Sequence, residues 1–354
     1  MWGVALYGFF FMLCCGTIEC CWRGASYYHQ IEYHQHEHSH QPEQPQKPLE
    51  PPKPNYQHEY KPNLDALADA FEDHLFGQPL AYMTVLGAID GHVTNPNPPK
   101  PLVLSLHGPA GTGKNHISRL VVENLYKNGM ESGCVTVKMS TMDYPHHEDH
   151  KHLYQQKEKL VSFIKSKVSE CYNHLFIFDE VENMPPGLLD SMRSFLDHHT
   201  KVDGVDYRKV IVIFRSNLAA QAIKKHMLES YENGIARKDI KSVDMERLIS
   251  NEVSGNSDDG FNKARIINSH LVSHFIPFFP LEASHVRQCI HAEFKVRGYA
   301  STSSLEDDVL AQLQFNGPRG SRVFAVKGCK NVAEKVNILL YKLKAKGHTR
   351  HTDL

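Results

Sequence analysis

The sequence predicts an α/β fold, a parallel sheet flanked by helices, followed by a small helical domain. Three observations predict it. The apolar runs Leu102-Val-Leu-Ser-Leu106, Leu175-Phe-Ile-Phe178 and Val210-Ile-Val-Ile-Phe214 each end in polar residues, as strands buried on both faces do. A glycine-rich segment, Gly108-Pro-Ala-Gly-Thr-Gly-Lys-Asn115, joins the first run to a stretch of helical spacing at Ile117, Leu120, Val121 and Leu125. From Leu281 the apolar spacing is helical, with Val286, Ile290 and Phe294 on one face.

The elements follow in chain order. Residues 2–18 carry no charged side chain. That length exceeds a usual signal core and falls short of a membrane span. Two readings stay open: a signal peptide cut after Gly16, or a retained anchor that associates the chain with a membrane through residues 2–18. Residues 1–21 form this leader with its cysteine cluster, and 22–62 a His/Pro-rich linker, extended and unpacked. His34, His36, His38 and His40 alternate there; a metal-binding tract is one reading, incidental composition the favoured one. Asn63 can cap a helix whose apolar face is Leu64, Leu67, Phe71 and Leu75. The large α/β domain takes 63–280, with a strand near Val135, a helix over 188–198 and a mobile loop over 251–262. A helical lid takes 281–350, and 351–354 is a tail.

The glycine-rich segment reads GxxxxGK, with Asn115 where Ser or Thr is usual. Strand, glycine loop and helix in that order make it a phosphate-binding loop. Gly108, Gly111 and Gly113 let backbone N–H groups curl around a phosphate at a helix N-terminus, with Pro109, Ala110 and Thr112 as the rest of the binding loop. Lys114 brings a cation to the β/γ-phosphates. The second run ends in Asp179-Glu180, at the sheet edge where ligands bind in open α/β folds. Asp179 is placed to hold Mg²⁺ through water, and Glu180 to act as general base. The third run leads through Arg215-Ser to Asn217, placed beside a γ-phosphate to position water. A net charge of −1 gives no electrostatic case for nucleic acid.

GTGKN, the FIFDE strand and a strand ending in SN, in that order, resemble the torsins, AAA+ ATPases of the endoplasmic reticulum lumen related to Clp-type unfoldases. Leu75-Phe-Gly-Gln78, Pro277-Phe-Phe-Pro-Leu-Glu282 and Gly328-Cys-Lys330 agree with that resemblance. It implies an AAA+ P-loop domain with ATP and Mg²⁺ bound at Lys114, Asn115, Asp179, Glu180, Asn217 and the sensor Lys330, with Asn115 and Asp179 toward the metal. It also implies a missing arginine finger, since no Arg lies between Ile266 and Val286 and Arg265 falls early. Fingers are worth roughly 10³–10⁵ in rate. The resemblance therefore implies activation by the luminal domain of a reticulum or nuclear-envelope membrane protein. It further implies protein substrates and a homo- or hetero-oligomer. Tyr144-Pro145 without a following Gly is a departure from the threading loop of Clp-type proteins. Glu19-Cys20-Cys21 looks like the torsin element after a retained hydrophobic segment. The absence of any Asn-x-Ser/Thr is another departure. The resemblance favours two disulfides: Cys15 with Cys171, and a redox-sensitive Cys289 with Cys329 beside Lys330. The rival readings are a self-sufficient Clp-like homo-hexameric unfoldase and a nucleotide-gated scaffold without hydrolysis.

Overall fold

The computed structural model describes residues 54–144, 152–254, 270–317 and 323–352. The leader with Cys14, Cys15, Cys20 and Cys21 lies outside the described residues, as do most of the linker, His146, His147, His150, Arg265 and Asp353-Leu354. All described residues belong to the second of two units, Pro52–Leu354.

Five strands form one parallel sheet: β1 (Leu102–His107), β2 (Val135–Met139), β3 (Leu175–Asp179), β4 (Ile211–Ser216) and β5 (His274–Pro277). Their order is β2-β3-β4-β1-β5. The pleat sends alternate side chains to opposite faces. On one face Phe176, Phe178, Val212 and Phe214 meet Leu160, Ile164 and Val168 of α5 (Leu153–Glu170). Ile223 of α7 (Ala220–Glu232) and Met245 of α8 (Ser242–Val253) complete that layer. On the other face Leu175, Ile177, Ile211 and Ile213 meet Ile117, Leu120 and Val121 of α3 (Lys114–Leu125). Leu67 and Phe71 of α1 (Leu64–His74) and Val85 and Ile89 of α2 (Pro79–Thr94) close it. Truncating one of these buried phenylalanines to Ala would cost about 3–5 kcal/mol.

Asn63 caps α1 with its side-chain oxygen, 3.1 Å from the Ala66 N–H. Packed structure begins before it, at Tyr56. The Tyr56 N–H donates to Glu170 O at 3.0 Å, and Tyr60 bridges to Tyr126. Glu59 is buried and accepts from Ser132 Oγ at 2.6 Å and from the Gly133 N–H at 2.9 Å. The polar spelling of this strap hides its role, because its anchors are a buried carboxylate and backbone groups.

The expected helix over 188–198 is shorter and split. A 3-10 turn, Leu189–Met192, runs into α6 (Arg193–Leu196). Asp197 then turns extended and its Oδ1 accepts from the His198 N–H at 2.7 Å, which ends the helix. β4 runs to Ser216, and α4 (Ser140–Asp143) follows β2. β5 carries no sequence signal of its own: it is four residues ending in Pro277.

The helical unit comprises α9 (Ala283–Val296), α10 (Ser303–Leu310) and α11 (Val332–Thr352). Val286, Ile290, Phe294, Val309, Val332 and Val336 form its core. A two-residue hairpin, β6 (Phe315–Asn316) with β7 (Phe324–Ala325), closes it. Among the described residues no helix is long and apolar enough to cross a membrane.

Candidate nucleotide site

β1 delivers the glycine loop at the carboxyl edge of the sheet, and α3 begins at Lys114. Gly108 and Gly111 have φ of 149° and 76°. A Cβ on Gly108 would collide with the Phe278 carbonyl, and one on Gly111 with the Lys327 carbonyl. Only glycine lets this loop nest between the end of β5 and the helical unit.

Lys114 is 7% exposed. Its ammonium donates to the carbonyls of Gly108 at 2.5 Å and Pro109 at 3.0 Å, and to Asn217 Oδ1 at 3.1 Å. Burial pushes its pKa down to about 8, against the pull of Glu182 and Asp179. A buried cation curled over its own loop, facing partial charges, is chemically poised for an anion there. The loop N–H groups lie at a helix N-terminus that favours the same sign. These residues therefore fit a polyphosphate.

β3 and β4 are neighbours, and their ends bring Asp179 and Asn217 to the loop. Asn217 donates through its backbone N–H to Glu182 Oε1 at 3.1 Å, and through Nδ2 to the same oxygen at 3.2 Å. Asn217 thus sits between Glu182 and Lys114. Glu180 stands at φ 54°, a left-handed conformation costly for a residue with a side chain. Its Oε2 accepts from Thr141 Oγ1 at 3.1 Å. Asp179 Oδ1 accepts from the Glu180 N–H at 3.1 Å. Its Oδ2 accepts from Arg215 Nη2 at 2.7 Å. Asn115 is exposed on the first turn of α3. An amide oxygen and a carboxylate are both hard donors that suit Mg²⁺ beside a phosphate; each Asp179 oxygen keeps a lone pair for water.

The helical unit reaches the loop directly. The Cys329 N–H donates to Gly111 O at 3.0 Å, and Gly328 packs on the same carbonyl. Exposed Lys330 comes close enough that its Cβ would touch a Gly111 side chain. The structure thus gathers Gly108 through Asn115, Asp179, Glu180, Asn217 and Lys330 around one edge. Thr112 Oγ1 closes the loop onto Pro109 O at 2.8 Å, and Ala110 is exposed at its tip.

Sequence reasoning missed several supporting residues. Buried Gln78 donates to Thr112 O at 2.9 Å and Phe279 O at 2.8 Å, and accepts from the Phe279 N–H at 2.8 Å. It ties the loop to the junction between sheet and helical unit. Arg237 donates to Gly77 O at 2.9 Å, Pro280 O at 2.7 Å and Glu282 Oε1 at 2.8 Å, clamping the same junction. Arg215 stands two residues before Asn217 on β4, and its bond to Asp179 depends on β3 lying beside β4, which the sequence does not reveal.

One disulfide differs from expectation. Cys171 is bonded to Cys134, not Cys15. Cys134 immediately precedes β2 and Cys171 caps α5 ahead of β3. Parallel pairing of those strands brings the two Cα atoms to 5.5 Å, within bridging reach. Cys289 and Cys329 are bonded, joining α9 to the segment that touches Gly111.

The comparisons agree with this architecture. The family model "Torsin" matches residues 55–178, and "Torsin-1A, C-terminal domain" matches 281–339. A "Torsin-like protein" of Caenorhabditis elegans is 35% identical over 282 residues, covering 79% of this chain and 78% of that protein. "Torsin-3A" of Mus musculus is 34% identical over 279 residues, 78% of this chain and 71% of that protein. The solved "S. cerevisiae Hsp104-ADP complex" superposes with a TM-score of 0.57 at 18% identity, over 81% of this chain and 48% of that one. That likeness carries the AAA+ fold and nothing finer. With a parallel sheet, a helical unit leaning on its glycine loop and relatives aligned over most of both lengths, the chain belongs to the torsin family.

Proposed function

We propose that this chain is a torsin-like ATPase of the endoplasmic reticulum lumen, including the nuclear envelope, that remodels protein complexes. Residues 63–280 are its ATP-binding domain, 281–350 its lid, and 1–21 and 22–62 its leader and linker. Hydrolysis is switched on by the luminal domain of a membrane protein that supplies an arginine finger. The observation that carries this reading is the buried Lys114 ammonium, curled over the glycine loop and bonded to Asn217.

The steps follow from the residues. Loop N–H groups from Ala110 to Asn115 receive the phosphates, and Lys114 exchanges its carbonyl partners for phosphate oxygens. Asn115 and Asp179 would hold Mg²⁺, which would supply positive charge beside the phosphates. Asn217 orients the attacking water and Glu180 accepts its proton. Lys330, carried by the lid, adds a second cation, so that lid position reports on the phosphates. Charge arising on the leaving group still lacks a stabilising cation from outside the subunit, which is the partner's contribution.

Trapping tests this. Glu180→Gln should keep ATP bound and hold an activating luminal domain longer than the native chain does, measured by co-elution with nucleotide. Equal partner retention with and without the substitution would favour a scaffold that does not hydrolyse.

A further inference from the structure

Arg215 is a further cation inside the site, and it has no part in the proposed steps of hydrolysis. It lies on β4 in the stripe Ile211, Ile213, Arg215, whose two isoleucines pack on the α3 face of the sheet. Its side chain is 8% exposed. Nη2 holds Asp179 Oδ2 at 2.7 Å, and Nε finds no acceptor among the described residues. The guanidinium also acts electrostatically on Lys114 and Glu180. It therefore sits where the metal, the phosphates and the base converge. The acidic groups facing it are Asp179 and Glu180, with Glu182 farther round beside Asn217.

Resting on the nucleotide-site reading, we infer that Arg215 is a positioning residue that lowers the site's demand for Mg²⁺, by neutralising Asp179 and adding its own positive charge. Two things follow from a fixed cation bonded to the metal-facing carboxylate. Asp179 offers the metal less negative charge, because one oxygen already carries a charge-assisted hydrogen bond. The guanidinium also repels a divalent ion across a short, poorly solvated distance. Asn115 compounds both effects, since an amide oxygen has no charge to offer. Arginine is never deprotonated at working pH, so the effect is permanent. The same charge attracts the polyphosphate itself, so the nucleotide gains from Arg215 what the metal loses. The chain should hold ATP tightly with little help from Mg²⁺.

The experiment uses the full chain and a fluorescent N-methylanthraniloyl ATP. Its affinity is measured in EDTA and across a Mg²⁺ titration, for the native chain, Arg215→Met and Arg215→Lys. The native chain should bind nearly as well in EDTA as in Mg²⁺. Arg215→Met should bind at least roughly tenfold more weakly in EDTA than in Mg²⁺, because the fixed cation that attracted the phosphates and repelled the metal is gone. Arg215→Lys, which keeps the charge, should stay near native. The same ratio of affinities in EDTA and in Mg²⁺ for native and Met variants would make Arg215 a structural ion pair and overturn the inference. Removing a buried partner can unfold a protein. If Arg215→Met does not fold, the native chain decides, and strong loss of ATP in EDTA overturns the inference while leaving the nucleotide site intact. No binding by the native chain in either condition would take down the nucleotide-site reading as well.

Discussion

Lys114 concentrates the chemistry at the residue scale. Its ordinary pKa of 10.5 falls to about 8 because burial penalises the ammonium. Free protein thus loses this proton as pH rises through about 8. A bound polyphosphate favours the charged form and raises the pKa again. Between those two values ATP binding must take up a proton, and affinity must fall as pH rises. Well below the lower value the amine is charged in both states and no proton moves. Calorimetry in buffers of different ionisation enthalpy reads this directly: uptake at alkaline pH, none under mildly acidic conditions, and no lysine-linked uptake in Lys114→Ala. Proton release on binding would contradict it. Lys114, Asp179, Glu180 and Asn217 were legible in the sequence because each ends a recognisable strand or loop. Arg215 and Gln78 were not, since their roles depend on which strands are neighbours and on where Phe279 passes.

At the element scale, strands buried on both faces announced themselves as unbroken apolar runs, as in Leu175-Phe-Ile-Phe178. β5 did not, because four residues ending in proline look like any loop. The strap from Tyr56 to Tyr60 was illegible for the opposite reason: polar residues are held there by Glu59 and by backbone bonds. Cys134 went unpaired in sequence reasoning because strand adjacency, which sequence spacing does not reveal, brings it to Cys171. The other bridge ties α9 to the turn that precedes α11 across a sequence separation of 40. Chain entropy over such a loop is worth about 4 kcal/mol. Cys289→Ser should therefore raise amide exchange across α9 and α11. Because the Cys329 N–H donates to Gly111 O, exchange should also rise in the glycine loop. Hydrogen–deuterium exchange with mass spectrometry measures both. Faster exchange in the helices with an unchanged loop would mean that the contact at Gly111 does not depend on the bridge.

At the scale of the whole molecule, sheet and helical unit meet through specific contacts, with Val323 and Phe324 buried in the core on one face of the sheet. Gln78 and Arg237 pin the junction at Phe279, Pro280 and Glu282, and the Gly328-Cys329 turn rests on Gly111. A nucleotide in the loop would touch both units at once, which is how binding can become movement. The overall architecture was legible because motif order, strand ends and the change to helical spacing all agreed. On the proposed reading, turnover depends on a cation supplied from outside the chain. The most direct measurement is steady-state ATP hydrolysis by the full chain with and without a torsin-activating luminal domain, beside Lys114→Ala and Glu180→Gln. Near-zero turnover alone, strong stimulation by the domain and loss of that stimulation in both variants is the expected result. Rapid hydrolysis by the chain without any partner would contradict it.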